Sequence, residues 1–395
     1  MRITLVIGTM GGGGAERVMS ILANYFVENG NQATLLTFED KIISFYKLNQ
    51  PISYMPMQIQ SHSPNFLPVI FKALKKIGAV REAGKIFYIF KGIFALRSAI
   101  RKSKPDVIIS FITETNIAAL IASLFLNIPV VVSERTDPRY CKINKNLDIL
   151  RKLTYQFADS IVFQTENAAQ YFKGALQNKI IIIPNPVITP NFNSTEDNLS
   201  MPSPSIIAVG RHSYEKGFDL LLKAFSQTRD KHPEWTLSIF GDGPLRQELG
   251  ELAKELGLIE KVEFHRPVKN IYDYLKKSDI FVLSSRFEGF PNALCEAMAC
   301  GVAVISTDCP SGPRGIIRDG IDGILVPKGD IDALAKAMDH LMSDEAERKR
   351  LGSRAKEIVE RYSVDKIMGM WKKEVLDKFS KGADDRKGAL NRGSK

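Results

Sequence analysis

Histidine and cysteine are scarce in this chain: 395 residues hold five histidines and only Cys141, Cys295, Cys300 and Cys309. The cysteines lack paired-ligand spacing, which excludes a disulfide framework and a zinc ribbon. No HExxH cluster occurs, so a histidine-based metal enzyme is not expected. A long apolar run is also missing. The uncharged, mostly apolar stretch Thr115 to Ser133 has a spanning helix's length but contains Asn116, Asn127 and Pro129, and it reads as a helix running into a strand. Met1-Arg2 leads straight into Ile3-Thr4-Leu5-Val6-Ile7, too short for a cleavable signal core and suited to a buried strand. The chain is therefore expected to be cytoplasmic, soluble or peripheral. Apolar residues make up 44% and charged residues 25%, enough to bury sizeable cores. The length suggests two or three domains.

Acidic residues are nearly absent from one segment. Between Phe66 and Lys104 ten basic residues face Glu82 alone, so this stretch carries +9 of a net charge of +10. Phe66, Phe71, Phe87, Tyr88, Phe90 and Phe94 are interleaved with Ile86, Ile89, Ile93 and Leu96. Phe87, Phe90 and Phe94 fall on one face of a helix. Such a basic, aromatic helix suits an anionic lipid interface, where cations meet headgroups and rings enter the acyl boundary. An ordinary surface helix docked on its own domain would carry the same pattern. No nucleic-acid partner is expected, because no fold signature for one accompanies the charge.

Along the N-terminal half, apolar runs alternate with helical patterns. Strands are expected at Ile3–Ile7, Ala33–Thr37, Val107–Ser110, Pro129–Ser133, Ser160–Phe163 and Ile180–Ile183, with a helix at Ala15–Asn29 closed by Gly30. Such alternation predicts an α/β fold with a doubly wound parallel sheet. Pro184-Asn185-Pro186 stops it, giving a first domain at 1–188, and 189–204 reads as a linker. A second alternation fills 205–363. Its strands are expected at Ser205–Val209, Thr236–Phe240, Lys261–Phe264, Ile280–Leu283, Ala303–Ser306 and Gly323–Val326. Helices are expected near Gly217–Thr228, Pro244–Leu256, Asn292–Ala299 and Ile331–Ser343. Residues 364–395 read as a helix through Phe379 and a disordered polar end. Two Rossmann-like units joined by one linker leave a cleft, and open sheets bind ligands beyond the carboxyl ends of their strands.

Gly11-Gly12-Gly13-Gly14 follows the first strand and precedes a helix, where backbone can approach an anion closely. The spacing is neither GxGxxG nor GxxxxGK[ST]. A phosphate or sugar contact through Gly13 and Gly14 and a plain flexible turn both remain open. In the second half, Val209-Gly210-Arg211-His212-Ser213-Tyr214-Glu215-Lys216-Gly217 puts Arg211 and Lys216 in a strand-to-helix loop suited to a diphosphate. Phe240-Gly241-Asp242-Gly243-Pro244 reads as a turn. Ser284 to Glu296 ends a strand and opens a helix at Pro291 and Asn292. Glu288 then lies in the loop and Glu296 about a turn inside the helix. Two such carboxylates can grip hydroxyls of a polyol ligand while the amides between them face phosphate. Either carboxylate alone could be an N-terminal dipole partner; together with Arg211 and Lys216 they form a site.

The Glu288-x7-Glu296 pair, the Gly-Arg-x4-Lys-Gly loop and the two-Rossmann layout resemble glycosyltransferase family 4, retaining enzymes of the GT-B fold. The resemblance extends to Gly12-Gly13-Gly14-Ala15-Glu16-Arg17, Ile183-Pro184-Asn185-Pro186-Val187 and Asp319-Gly320-Ile321-Asp322-Gly323, and is most specific over Phe287-Glu288-Gly289-Phe290-Pro291-Asn292-Ala293-Leu294. It implies that Arg211 and Lys216 hold the donor diphosphate, Glu288 the donor sugar and Glu296 the ribose, with Gly289, Phe290, Pro291 and Asn292 in the same donor loop. It also implies that no metal or other cofactor is needed. Three departures stand out. Arg266 replaces a common glycine, Gly315 a usual glutamate, and Phe111-Ile112-Thr113-Glu114-Thr115-Asn116 lacks the histidine many relatives carry. Glu114, Asn116, Glu134 and Arg135 are left as acceptor-side candidates.

The expected activity is retaining transfer of a hexose or N-acetylhexosamine from a UDP-sugar nucleotide donor. The expected acceptor is a lipid-linked oligosaccharide of bacterial surface polysaccharide assembly, met at the inner face of the plasma membrane. A sugar-nucleotide epimerase of the same architecture and a non-catalytic, membrane-associated sugar-nucleotide sensor remain as alternatives.

Overall fold

The computed structural model describes residues 1–39, 44–57, 83–140, 143–172, 174, 176–190 and 201–380, with side chains from 91 onward in the helix that starts at 83. They form two compact units, Met1–Ile183 together with the chain from Met368, and Pro184–Ile367. The first is built on β1 (Arg2–Ile7), β2 (Gln32–Thr37), β3 (Ser53–Pro56), β4 (Val107–Phe111), β5 (Val130–Ser133), β6 (Ser160–Phe163) and β7 (Ile180–Ile182). These pair in the order β3-β2-β1-β4-β5-β6-β7. The second contains β8 (Ser205–Val209), β9 (Thr236–Phe240), β10 (Val262–His265), β11 (Ile280–Leu283), β12 (Ala303–Asp308) and β13 (Ile324–Pro327), ordered β10-β9-β8-β11-β12-β13. Pairing is parallel in both sheets. Central strands such as β4 and β11 are buried on both faces, as continuous apolar runs require.

Each sheet reverses its winding once, between β1 and β4 in the first and between β8 and β11 in the second. The doubly wound expectation is met, and the expected strands occur within two residues of their positions. β12 runs on to Asp308 because Thr307 and Asp308 pair with Val326 and Pro327. The stretch 115–133 is the helix Thr113–Ser123 followed by β5. β3 was not expected. Ser53-Tyr54-Met55-Pro56 has no apolar alternation, and its terminal proline is tolerated because β3 is an edge strand paired only with β2.

Two expectations are corrected. The tail is not a separate element: from Met368 it belongs to the first unit. Trp371 is 1% exposed, with its ring 6.2 Å from that of Phe111, and Lys378 Nζ lies 3.0 Å from Ser160 Oγ. The expected helix through Phe379 is present, helical over 364–380, with a π-helical turn, Lys372–Leu376, inside it that buries Val375 and Leu376. The second unit also begins before the linker, at Pro184, where Val187 donates to the Tyr362 carbonyl at 2.8 Å. Most of the linker (191–200) and the polar end (381–395) lie outside the described residues.

The basic segment is described only from its helix Ala83–Ser103. Phe66, Phe71 and Lys72 to Glu82 fall outside the described residues, as do the side chains of Phe87 and Phe90. Leu96 and Ile100 are fully buried, with Ile93 packed beside them, in one core with Ile117 and Leu120. Ile93 and Leu96 therefore serve the fold and not a membrane face. Arg97 donates to the carbonyls of Ala122 and Leu124, satisfying orphan acceptors at a helix end. Among the described residues no helix is long and apolar enough to cross a membrane.

Trp371→Ala removes the largest fully buried side chain and leaves a cavity against Phe111. A loss of about 3–5 kcal/mol in unfolding free energy is expected, measured by urea denaturation. A loss under about 1 kcal/mol would mean the tail is dispensable to the first unit.

Candidate functional site

β9, β8 and β11 are neighbours at the centre of the second sheet, and their carboxyl ends carry three loops at the reversal of winding. The loop after β8 is shaped by close approach. A Cβ on Gly210 would lie 3.2–3.3 Å from the Lys216 stem, so glycine lets that stem cross the backbone. Gly217 adopts φ 62°, and a side chain there would collide with the Ser284 carbonyl. Ser284 Oγ in turn donates to the Lys216 carbonyl at 2.9 Å. Held on both sides, the Lys216 ammonium donates to Glu288 Oε1 at 2.7 Å. That oxygen also accepts from Ser285 Oγ at 2.6 Å, and the Ser285 carbonyl accepts from Thr307 Oγ1 at 2.6 Å. The pair is largely out of water, with Glu288 8% and Lys216 22% exposed, so little screening weakens it. Nearby, burial pushes the Cys309 thiol up to about 12, with Glu288 adding to the shift, so it contributes no charge at neutral pH.

The pairing differs from the arrangement expected of the two cations. Lys216 meets Glu288, whereas Arg211 is exposed and its guanidinium makes no ion pair among the described residues. Arg286, unremarked in the sequence, binds Asp219 through both guanidinium nitrogens at 2.8 and 2.7 Å and lies 4.3 Å over the Tyr214 ring. Its backbone N–H donates to Glu215, so one residue fastens the β11 loop to the β8 loop. Burial works against the Asp219 charge, but the Arg286 hydrogen bond and charge prevail and hold the carboxyl below its usual range. The turn at Gly241-Asp242-Gly243 supports this site from the β9 side. Gly241 lies against the Gly210 carbonyl and Gly243 against the His212 backbone, whose N–H donates to Asp242. His212 is fully buried, edge-on to Phe218 and Phe264, and burial lowers its pKa, keeping the ring neutral.

Pro291 is the residue before the helix Asn292–Cys300, and Glu296 follows inside it, 8% exposed. A Cβ on Gly312 would lie 2.6 Å from Pro291 Cδ, so the loop after β12 closes on this helix start. Phe290 packs inward, 9% exposed, with its ring 5.7 Å from Tyr362. Gly289 is half-buried between Glu288 and that ring. Asn292 Oδ1 accepts from Asn185 Nδ2 at 2.8 Å, which gives the asparagine of Pro184-Asn185-Pro186 a task its sequence did not disclose. Arg266 is exposed, and Gly315 has open space where a side chain would be.

In the first sheet, β1, β4 and β5 are the corresponding neighbours. Gly13 caps the helix Gly14–Glu28 without a side chain, and its carbonyl accepts from Tyr46 Oη at 3.1 Å. The Glu16 carboxylate occupies the space a Gly13 side chain would need. Burial raises the Glu16 pKa, with Glu39 adding to it and Arg135 opposing. Arg135 lies 4.4 Å over the Phe111 ring, and burial pulls its guanidinium below the usual range against the charge of Glu16. Asn116 and Glu134 are 0% and 1% exposed. Asn116 accepts from Ser110 and donates to the Ser133 carbonyl and to Tyr155 Oη. Glu134 accepts from Thr113 at 2.7 Å and Tyr155 at 2.6 Å, with Arg151 at 3.6 Å. Glu114 is half-buried above this network; burial raises its pKa, Glu134 adds to the rise, and Arg151 opposes it.

Between β4 and this helix stands Ile112 at φ 78°, ψ 134°, a conformation a β-branched residue rarely adopts. Its N–H donates to the Ser133 carbonyl of β5 and its carbonyl accepts from Asn116 in the helix Thr113–Ser123, so the neighbouring strand and the following helix impose it. Strain of this kind persists only where the surrounding structure over-determines it. No sequence signal exposes it, since isoleucine ordinarily fits a strand.

Among the described residues no group of three or more His, Cys, Asp or Glu side chains is placed to hold a metal. Asp330-Ile331-Asp332 has the spelling of a metal-binding DxD triplet, but Asp330 caps the helix Ile331–Ser343 through Ala333 N–H and Asp332 accepts from Gln227.

Residues 192–358 match the family described as glycosyl transferases group 1, and residues 12–189 match glycosyltransferase family 4. A Campylobacter jejuni relative, GalNAc-alpha-(1->4)-GalNAc-alpha-(1->3)-diNAcBac-PP-undecaprenol alpha-1,4-N-acetyl-D-galactosaminyltransferase, is 30% identical over 95% of this chain and 99% of its own length. The amylovoran biosynthesis glycosyltransferase AmsD of Erwinia amylovora is 26% identical over 93% of this chain and 97% of its own. Among solved structures, Anabaena Alr3699/HepE in complex with UDP and glucose superposes with a TM-score of 0.73 at 19% identity, covering 96% of this chain and 99% of that one. The shared fold is GT-B.

The Arg286–Asp219 clamp gives a pH signature. Because the folded Asp219 pKa lies below its unfolded value, its stabilisation is complete above the ordinary carboxylate range and is lost as pH falls through the depressed value. Wild type should melt above Asp219→Asn at neutral pH, with the gap closing as pH falls through and below the ordinary carboxylate range. Thermal melts across that range check it; a gap independent of pH would remove the electrostatic account.

Proposed function

From its membership of glycosyltransferase family 4 and the group 1 glycosyl transferases, to which the chain belongs, we propose that this glycosyltransferase moves a hexose or N-acetylhexosamine from a UDP-sugar, with retention, to a polyprenyl-diphosphate-linked glycan. The observation that carries the proposal is the Lys216–Glu288 pair, 2.7 Å apart at the exits of β8 and β11. Transfer breaks the bond between the anomeric carbon and the diphosphate, whose oxygen departs with the electron pair. A preorganised cation beside that oxygen stabilises the transition state, and such electrostatic terms dominate catalysis of this type. Lys216 supplies one such cation and the exposed Arg211 a second, drawn in by the diphosphate. Glu288 accepts from donor-sugar hydroxyls through Oε2 while Oε1 stays with Lys216 and Ser285. Glu296 holds the ribose.

Because the Phe290 ring packs in the core, its part in the donor loop is through backbone. Gly289, Pro291 and Asn292 shape the same loop at a helix N-terminus, which favours negative charge. Attack comes from the face the diphosphate leaves. The acceptor hydroxyl oxygen forms the new bond to the anomeric carbon, and its proton passes to the departing phosphate oxygen. On the acceptor side, Glu114 and Arg135 stand at the strand exits, while Asn116 and Glu134 act from beneath as positioning residues. The C. jejuni relative is named for an undecaprenol-linked acceptor and HepE was solved with UDP; both support the substrate classes proposed. Charge neutralisation comes from Lys216, Arg211 and helix amides, with no metal required, and the enzyme works peripherally at an anionic membrane. Nothing in the geometry favours the epimerase or the sensor.

Lys216→Ala and Arg211→Ala should each lower turnover about a hundredfold, roughly 3 kcal/mol, in protein that remains folded by circular dichroism. Near-wild-type turnover in either variant would displace the diphosphate from this loop. Release of UDP in the presence of lipid-linked acceptor should also persist in EDTA. Loss of activity restored by Mg²⁺ or Mn²⁺ would assign charge neutralisation to a metal instead.

A further inference from the structure

We infer, on the donor site proposed above, that His212 is a positioning residue with an acid-sensitive hold: its neutral ring keeps the loop of Arg211 and Lys216 in place, and protonation of that ring releases the loop and the nucleoside diphosphate it binds. His212 stands in the β8 loop, next to Arg211 and ahead of Lys216. Arg211 is exposed, whereas His212 is fully buried. Its ring lies edge-on to those of Phe218 and Phe264, with centroids 5.6 and 5.8 Å away. Neither Nδ1 nor Nε2 meets a hydrogen-bond partner among the described residues. A leucine would fill this apolar slot and leave no polar group unmet, so an imidazole here calls for a reason other than packing.

The backbone of the same residue fastens two loops together. His212 N–H donates to the Asp242 carbonyl at 2.9 Å, and its own carbonyl accepts from Leu245 N–H at 3.0 Å. A side chain on Gly243 would collide with the His212 backbone, and one on Gly241 would lie 3.4 Å from the ring carbon Cδ2. In packing this close the ring cannot leave its slot and the two backbone bonds stay as they are. Movement there is passed to Arg211 on one side and to the approach to Lys216 on the other.

The surroundings oppose a charged ring. Burial holds the His212 pKa below the usual histidine range, Arg246 adds to the depression and Asp242 opposes it. Arg246 is anchored where it stands, donating to the carbonyls of Gly241 and Phe264 at 3.2 and 2.9 Å. Asp242 is exposed, and its Oδ1 already accepts from Gly243 N–H. Other ionisable groups on the packed elements are engaged elsewhere: Asp219 with Arg286, Glu263 with His265, and Glu215 with Ser213. An imidazolium carries two donors and finds no acceptor in this slot, so protonation drives it toward water. Because the folded pKa lies below the unfolded one, the hold is complete above about pH 6.5 and is lost as pH falls through the depressed value.

Calorimetric titration with UDP from about pH 8 down to about pH 5, in wild type and in His212→Leu, tests it. The terminal phosphate of UDP titrates near about pH 6 in both experiments, so the comparison cancels it. On the acid side the wild-type Kd should rise more steeply than that of the variant, by up to about tenfold per pH unit. Asp242→Asn keeps an acceptor for Gly243 N–H but removes the carboxylate that favours a charged ring, and should move the wild-type break to lower pH. NMR of the whole protein with labelled histidine, the His212 signal being the one absent from His212→Leu, should show the ring titrating at that break. Equal slopes in wild type and His212→Leu overturn the hold and leave the donor site standing. Wild-type affinity that strengthens on acidification relative to His212→Leu makes the ring a cation for phosphate and also overturns the hold. No UDP binding by either protein at any pH overturns the hold and the donor site together. Should His212→Leu fail to fold, an Asp242→Asn break at the wild-type pH overturns the hold by itself.

Discussion

The loops at the carboxyl ends of β8 and β11 are organised to keep one ammonium against one carboxylate. Lys216 and Glu288 come from loops 72 residues apart in sequence, and each is fixed before they meet. Gly210 clears a path for the lysine stem, Gly217 lets the backbone pass Ser284, and Thr307 holds the carbonyl of Ser285, whose hydroxyl holds Glu288. Removing a charge from such a pair leaves its partner buried and unpaired, which costs more than the pair contributes. The glycines of the neighbouring turn belong to the same device, since Gly241 and Gly243 admit the backbone that carries Lys216.

The first unit uses hydrogen bonds where the second uses an ion pair. Asn116, Glu134 and Tyr155 interlock below the strand exits, and burial with Glu134 nearby drives the Tyr155 phenol well above its usual pKa, so it remains a donor. A satisfied polar network of this kind holds β4 and β5 in register at the place where Ile112 is strained. Rigidity beneath and strain above together present Glu114 and Arg135 in fixed positions.

Most of the fold was legible because parallel strands buried on both faces announce themselves as apolar runs, and turn residues mark their ends. β3 escaped because an edge strand needs little apolar character, and the tail's return escaped because Trp371 has no local signal of its destination. In the site, motif spacing singled out Lys216, Glu288 and Glu296. It could not show that Lys216 and Glu288 touch, since residues far apart in sequence meet only through sheet order. Arg286, Ser285 and Asn185 went unremarked for the same reason, each acting on a loop remote from its own. Glu134 and Asn116 were expected as acceptor-side candidates, and their burial could not be foreseen because it depends on Tyr155 and Arg151 from the next helical stretch.

The return of the chain at Met368 has a consequence for modularity. The first unit is discontinuous, and the second is in effect an insertion between Ile183 and Met368. Cutting the gene at the proline-rich junction would not release a self-sufficient first half, since Phe111 would lose its Trp371 cover. Recombination between relatives that exchanges second units must cross at two seams, and swaps made at one would carry a foreign strap onto a native sheet. Exchange of the second unit in such chains is thus freest by cassette, with the strap staying with the sheet it fits.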